Sequence, residues 1–278
     1  MLLKQQKGMQ IIGLLSLVLV LTFSSCNIAG DAKSGTQSSL NQQLTQAVLW
    51  HQNSGERNAL CYQAYNLATL RLDQYLASKE DDARPCVIVD IDETVVDNSP
   101  FQAQGIKSDF MYPKYWHEWV ETATAKAIPG ALDFLNHAVD NNVEVFYISN
   151  RNERNREATL KNLKDLGFPN ANNQNLFLKK THAVKDSLRA VLGVDHEIVL
   201  LVGDNLDDFS AVFKHQSVEV RTSYVDSFRE EFGNRFIVTP NAIYGDWEGA
   251  VYNFEYSKSE EEKIKDRMNR LTGFDVPE

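Results

Sequence analysis

Cysteine is scarce in this chain, with three among 278 residues, and proline is scarcer than usual, with seven. So few cysteines exclude a scaffold stapled by several disulfides. Basic residues are in the minority, 28 Lys and Arg against 38 Asp and Glu, for a net charge of −10. A phosphate polymer demands a basic surface, so nucleic-acid polymers are excluded as partners. A small phosphate ester is not excluded, because a bound cation and a few local positive groups override the global sign. No apolar run reaches the about 20 residues that a membrane-spanning helix requires. The longest, residues 11–23, falls short of it. Internal repeats and sustained coiled-coil heptads are absent as well.

That short apolar run follows Lys4 and Lys7 and ends in Thr22-Phe23-Ser24-Ser25-Cys26. A positive start, a brief apolar segment and small residues describe a secretory signal peptide over residues 1–25. The ending resembles the bacterial lipobox, which makes Cys26 the lipid-carrying first residue of the mature protein. An ordinary signal peptide with a chance cysteine beside it is the competing reading. Residues 26–39, rich in Ser, Gly, Asn, Gln and Ala, suit a flexible tether between membrane and domain. Of the remaining cysteines, Cys61 falls in a helical stretch and Cys86 opens a buried strand. Two free thiols are therefore expected rather than a disulfide.

Residues 40–278 are ample for one α/β domain with an insertion. Apolar residues recur at helical spacing from 40 to about 78, with a break at Asn53-Ser54-Gly55. Strands are expected at 87–90, 143–149, 176–178, 198–203, 217–220 and 236–238, with helices at 131–139, 154–166, 183–192 and parts of 207–213. This alternation predicts a doubly wound, mostly parallel sheet. One stretch, about 98–128, breaks the pattern with Phe101, Phe110, Tyr112, Tyr115, Trp116 and Trp119, and reads as a cap or pocket wall. Residues 244–274 read as one or two amphipathic helices.

The chemistry collects at the strand ends. Cys86-Val87-Ile88-Val89-Asp90-Ile91-Asp92-Glu93-Thr94 is an apolar run that discharges Asp90 and Asp92, spaced i and i+2 and so expected on one face. Two adjacent carboxylates repel unless a cation lies between them or one keeps a proton. That is the chemistry of a Mg²⁺-dependent phosphotransfer site. The second strand ends in Ser149-Asn150-Arg151, a hydroxyl, an amide and a guanidinium suited to a phosphoryl group. Lys179, Lys180 and Lys185 compete to supply a cation near the next helix start. The last apolar run ends in Gly203-Asp204-Asn205-Leu206-Asp207-Asp208-Phe209, hard oxygen ligands of the kind Mg²⁺ prefers. It does not fit the calcium-loop template of an EF-hand.

In that order these four segments resemble the motifs of the haloacid dehalogenase superfamily. More narrowly, the chain resembles the bacterial class C acid phosphatases, the outer-membrane lipoprotein 5′-nucleotidases. Asp97-Asn98-Ser99-Pro100, Ile128-Pro129-Gly130-Ala131, Leu178-Lys179-Lys180 and the run Pro240-Asn241-Ala242-Ile243-Tyr244-Gly245-Asp246-Trp247-Glu248 strengthen it. The resemblance implies Asp90 as nucleophile and metal ligand, and Asp92 as acid/base and ligand through its backbone carbonyl. It implies Asp204 as a third ligand and Asp208 as a ligand or the group orienting metal-bound water. Ser149, Asn150, Arg151 and Asn98 become substrate contacts, and Lys185 the motif lysine, with Lys180 as the alternative. Trp116, or a neighbouring aromatic, and Tyr244 would clasp a nucleoside base. It further implies Mg²⁺ as cofactor, a small phosphomonoester as substrate, residence at the outer membrane through the lipid on Cys26, and a homodimer. The rival readings are a sugar-phosphate phosphatase or phosphotransferase with the same site, and a surface lipoprotein that only binds ligands.

Overall fold

The computed structural model describes residues 39–80, 82–179 and 185–275. The leader, Cys26 and the tether as far as residue 38 lie outside the described residues, as does Lys180. Among the described residues no helix is long and apolar enough to cross a membrane.

Two helices precede the sheet, α1 (Thr45–Asn53) and α2 (Gly55–Leu76). The Ser54 side chain separates them by accepting the Arg57 backbone N–H at 3.1 Å, a helix N-cap. Then β1 (Pro85–Val89) begins the alternation that continues through α5 (Ala131–Asp140), β4 (Glu144–Asn152), α6 (Arg156–Asp165), β5 (Leu176–Lys179), α7 (Lys185–Asp195), β6 (Glu197–Gly203), α8 (Val218–Ser227) and β7 (Phe236–Val238). The five strands run parallel in the order β5-β4-β1-β6-β7. The chain winds from β1 toward β5 and returns to the other side at β6. The carboxyl ends of β1 and β6 therefore flank the switch point, where open α/β sheets hold their ligands.

β1 is central and buried along its whole length. Its residues alternate between two apolar layers, as strand geometry requires. Val87 and Val89 join Val145, Tyr147, Leu200 and Val202 beneath α2, α5 and α6. Cys86 and Ile88 join Phe146, Ile148 and Leu201 beneath Leu188 and Leu192 of α7 and a ring cluster of Phe209, Phe228, Phe232 and Phe236. Cys61 and Cys86 are buried in these layers as free thiols. Burial, reinforced by Glu144, pushes the Cys86 thiol up to about 12.

The insertion after β1 folds into two helices, α3 (Ser99–Ser108) and α4 (Trp116–Glu121), above a two-stranded antiparallel pair, β2 (Val96–Asp97) with β3 (Lys126–Ala127). Its aromatics pack on one another edge to face. Phe101 meets Phe110 and Trp116 at ring-centre distances of 5.6 and 5.1 Å, and Tyr112 meets Trp116 at 5.9 Å. Two short helices close the chain, α9 (Asp246–Val251) and α10 (Glu260–Asn269).

One expected strand is not formed. Residues 217–220 open α8 instead, with the Ser217 side chain accepting the Val220 backbone N–H at 3.3 Å. Val218-Glu219-Val220 carries the β-branched alternation of a strand, but the cap and the buried Arg221 side chain override that local preference.

Candidate active site

Asp90 follows the last residue of β1, and its backbone N–H is held by the Val202 carbonyl of β6 at 2.9 Å. Its carboxylate is 7 % exposed and accepts from the Lys185 ammonium at 2.5 Å. The same ammonium, on the first residue of α7, donates to Asp208 at 2.5 Å. Asp90, Asp204 and Asp208 bring one oxygen each within 4.8 Å of one another.

Burial drives the Asp90 carboxyl well above the ordinary range, against the pull of Lys185 and with the push of Asp208, Asp204 and Asp92. Asp204 is pushed up to about 7, chiefly by burial and then by Asp208, while the Asn241 amide opposes the shift. For Lys185, burial disfavours the charge, yet the Asp208 and Asp90 carboxylates outweigh it and raise its pKa. The trio thus holds more negative charge than one ammonium neutralises. A hard divalent cation fits this all-oxygen donor set, and it favours the charged carboxylates by the same Coulombic logic.

Asp92 turns to a different set of partners, and its side chain is outside that trio. Its Oδ1 accepts from Arg151 Nε at 2.9 Å, from the terminal guanidinium nitrogen at 2.8 Å and from Asn98 Nδ2 at 2.7 Å. Its Oδ2 accepts from the Ser149 hydroxyl at 3.4 Å. Side-by-side strand geometry does not carry through, because β1 ends at Val89 and Asp92 lies on the turn beyond it. Each carboxylate thereby has its own chemistry: Asp90 faces the Lys185 ammonium and two further carboxylates, and Asp92 faces the Arg151 guanidinium and neutral donors.

The other candidates divide by exposure. Ser149 is buried beside Asp92, and Asn150 is exposed. Arg151 is buried, and donates to Thr159 at 3.1 Å as well as to Asp92. Asn98, expected to touch substrate, is completely buried and spends its amide on Asp92 and its carbonyl on the Trp119 indole N–H at 2.8 Å. That bond occupies Trp119. Trp116 is half-buried, with the Arg151 guanidinium carbon 5.8 Å from its ring centre. Tyr244, also half-buried, donates its hydroxyl to the Glu93 carboxylate.

Four residues without an expected role prove structural to the site. Glu93 sits at φ 55° in the left-handed region with its carboxylate buried, and accepts the Asn98 backbone N–H at 2.8 Å. Asn241 donates to Asp204 at 2.7 Å and to the Tyr244 carbonyl at 3.0 Å. Arg189 holds the Asp208 carbonyl at 2.7 Å, and Arg221 reaches the Asn205 side chain at 3.3 Å. Glu93 lies inside the first motif and Asn241 three residues before Tyr244, so sequence position marked both. Arg189 and Arg221 carry no such mark.

Gly203 shows how tightly the acidic loop is drawn to β6. A Cβ there would overlap the Asp208 side chain, whose Cγ would lie at 2.6 Å. Gly203→Ala should displace Asp208 and spread the carboxylate trio. The expected outcome is at least a roughly tenfold loss of divalent-cation affinity by calorimetry, in line with the 10–100-fold cost of disturbing groups around a metal site. Unchanged affinity would show that the loop yields to the methyl group.

Comparison with known proteins agrees with this geometry. Residues 18–247 match the family described as HAD superfamily, subfamily IIIB (Acid phosphatase). The fold superposes on the class C acid phosphatase from Bacillus anthracis with a TM-score of 0.82 at 42% identity, covering 84% of this chain and 99% of that one. A structure of the Bacillus anthracis enzyme with tungstate bound gives 0.81 at 41% identity, covering 85% and 99%. Acid phosphatase 1 of Solanum lycopersicum is 33% identical over 93 residues, a match spanning 32% of this chain and 35% of the tomato protein. The chain belongs to subfamily IIIB of the HAD superfamily, the acid phosphatases.

Proposed function

We propose that this acid phosphatase hydrolyses nucleoside monophosphates and related small phosphate esters through an aspartyl-phosphate intermediate, with Mg²⁺ as its cation. One observation carries the reading: a buried Asp90 at the end of the central strand, within 2.5 Å of Lys185, in a trio with Asp204 and Asp208. The tungstate bound by the Bacillus anthracis relative supports an oxyanion-binding role.

Asp90, Asp204 and Asp208 would hold the cation, with the Asp92 backbone carbonyl as a further ligand by family resemblance. When bound, it neutralises the repulsion between nucleophile and phosphate. Lys185 steadies the Asp90 oxygen and meets the charge of the phosphoryl group, together with the Ser149 hydroxyl. Asp90 attacks phosphorus as the ester P–O bond breaks, and Asp92 gives its proton to the departing oxygen. Arg151 and Asn98 aim Asp92 for that transfer. Asp92 then takes a proton from the water that attacks the aspartyl phosphate, which frees phosphate and restores Asp90.

A panel of phosphomonoesters, assayed with and without a chelator, tests this reading. Turnover is expected to vanish in the chelator and return with Mg²⁺, and nucleoside monophosphates should exceed sugar phosphates in kcat/KM. Asp90→Asn should abolish turnover in every case while leaving the circular dichroism spectrum unchanged. Residual turnover by a deamidation-free Asn variant would remove Asp90 from the nucleophile's place.

The aromatic insertion and Tyr244 supply the preference for a nucleoside. We assign the base to the space between Trp116 and Tyr244, since Trp119 is already committed to Asn98. Stacking contributes about 1–3 kcal/mol per base. Trp116→Ala should therefore lower kcat/KM for nucleoside monophosphates about tenfold to a hundredfold, and for para-nitrophenyl phosphate much less. Equal losses would mark Trp116 as cap structure alone.

The leader supports export and anchoring through a lipid on Cys26, with the tether carrying the domain clear of the bilayer. A single acyl chain binds a membrane only marginally, so a multiply acylated Cys26 is the required anchor. Cys26→Ala should move the protein from the membrane fraction to the soluble one, or leave it as unprocessed precursor. Normal processing with unchanged attachment contradicts the assignment.

A further inference from the structure

Behind Asp92 lies a line of hydrogen bonds that ends at the residue assigned to the base. Asp92 accepts from Asn98 Nδ2 at 2.7 Å. The Asn98 backbone N–H donates to Glu93 Oε1 at 2.8 Å, and its side-chain amide also reaches Glu93 Oε2 at 3.4 Å. Glu93 Oε2 accepts the Tyr244 hydroxyl, which arrives from a loop 151 residues away in sequence. Asn98 and Glu93 are 0 % and 1 % exposed, so neither touches substrate. The two ends of the line, Asp92 and Tyr244, are partly exposed, and the residues between them are not.

A buried carboxylate is costly unless donors hold it. Glu93 has its donors from two directions, the Asn98 amides on one side and the Tyr244 hydroxyl on the other. The hydroxyl therefore fixes the Glu93 rotamer, Glu93 fixes both the backbone and the amide of Asn98, and Asn98 fixes one oxygen of Asp92. We propose that the Tyr244 hydroxyl, acting through Glu93 and Asn98, positions Asp92 for proton transfer to the leaving group. Tyr244 then has two separable roles: its ring seats the base, and its hydroxyl aims the acid. A substrate that settles the ring also settles the line behind Asp92. The inference rests on Asp92 as the proton donor.

Leaving-group chemistry separates a positioning role from a structural one. The alkoxide of a ribose 5′-oxygen needs a proton as its P–O bond breaks, whereas para-nitrophenolate leaves without one. Tyr244→Phe keeps the ring and deletes only the hydroxyl. With adenosine 5′-monophosphate it should leave KM within about twofold and lower kcat about tenfold; misplacing a reacting group by an ångström costs up to about a hundredfold. With para-nitrophenyl phosphate the loss in kcat/KM should stay near twofold. Glu93→Gln retains an acceptor for the Asn98 N–H and should recover much of the activity that Glu93→Ala loses, with the same dependence on leaving group. Equal losses for Tyr244→Phe on both substrates, or none on either, would overturn the proposal. Asp92→Asn distinguishes the two levels of failure. If it discriminates between the leaving groups and Tyr244→Phe does not, the line from Tyr244 alone is wrong. If Asp92→Asn itself fails to discriminate, Asp92 is not the donor and the proposal falls with that reading.

Discussion

The Lys185 ammonium between Asp90 and Asp208 is the contact on which the rest of the site depends. Three carboxylates meet at the ends of β1 and β6, where the parallel sheet excludes water and magnifies every charge. Without a cation among them, burial and mutual repulsion would force protons onto these oxygens. One ammonium answers part of that demand, and the remainder is what the divalent ion proposed above would answer. The fold is arranged to deliver that ammonium, since α7 begins at Lys185 and packs by Leu188 and Leu192 on the layer under β6.

Asp92 illustrates the opposite solution a few ångströms of chain away. It is surrounded by neutral and cationic donors from two elements: Arg151 and Ser149 from β4, and Asn98 from the insertion. Asp90 and Asp92 are two residues apart in sequence, yet the turn after Val89 gives them separate environments. The cap is not a detachable lid in this respect. Its first residue, Asn98, is a structural member of the site, and Trp119 of α4 holds that residue by its carbonyl.

Strand ends were the legible part of this chain. The apolar runs before Asp90, Ser149 and Asp204 placed these residues at one edge of one sheet, and parallel α/β topology brings such ends together. Lys185 was legible only through the family's order of motifs, with Lys180 a rival that lies outside the described residues. Asn98 reads as a contact, and the structure finds it buried against Asp92, because its burial depends on the packing of α3 and α4, which no local pattern encodes. Arg189 and Arg221 were invisible for a related reason: a surface-type residue on a helix announces nothing until the loop it holds is folded against it. Residues 217–220 failed by propensity, since a serine before β-branched residues serves a helix start as well as a strand.

The acidic loop is fixed from three sides by groups of this chain: Arg189 on the Asp208 carbonyl, Arg221 on Asn205 and Asn241 on Asp204. Cation binding consequently has little conformational entropy to overcome, and little folding to drive. Unlike a small domain that collapses only around its metal, this one would gain from a bound cation by mass action, RT ln(1 + [L]/Kd). On the proposed metal dependence, scarcity of the ion would leave an intact but idle enzyme, ready to resume work on resupply without refolding.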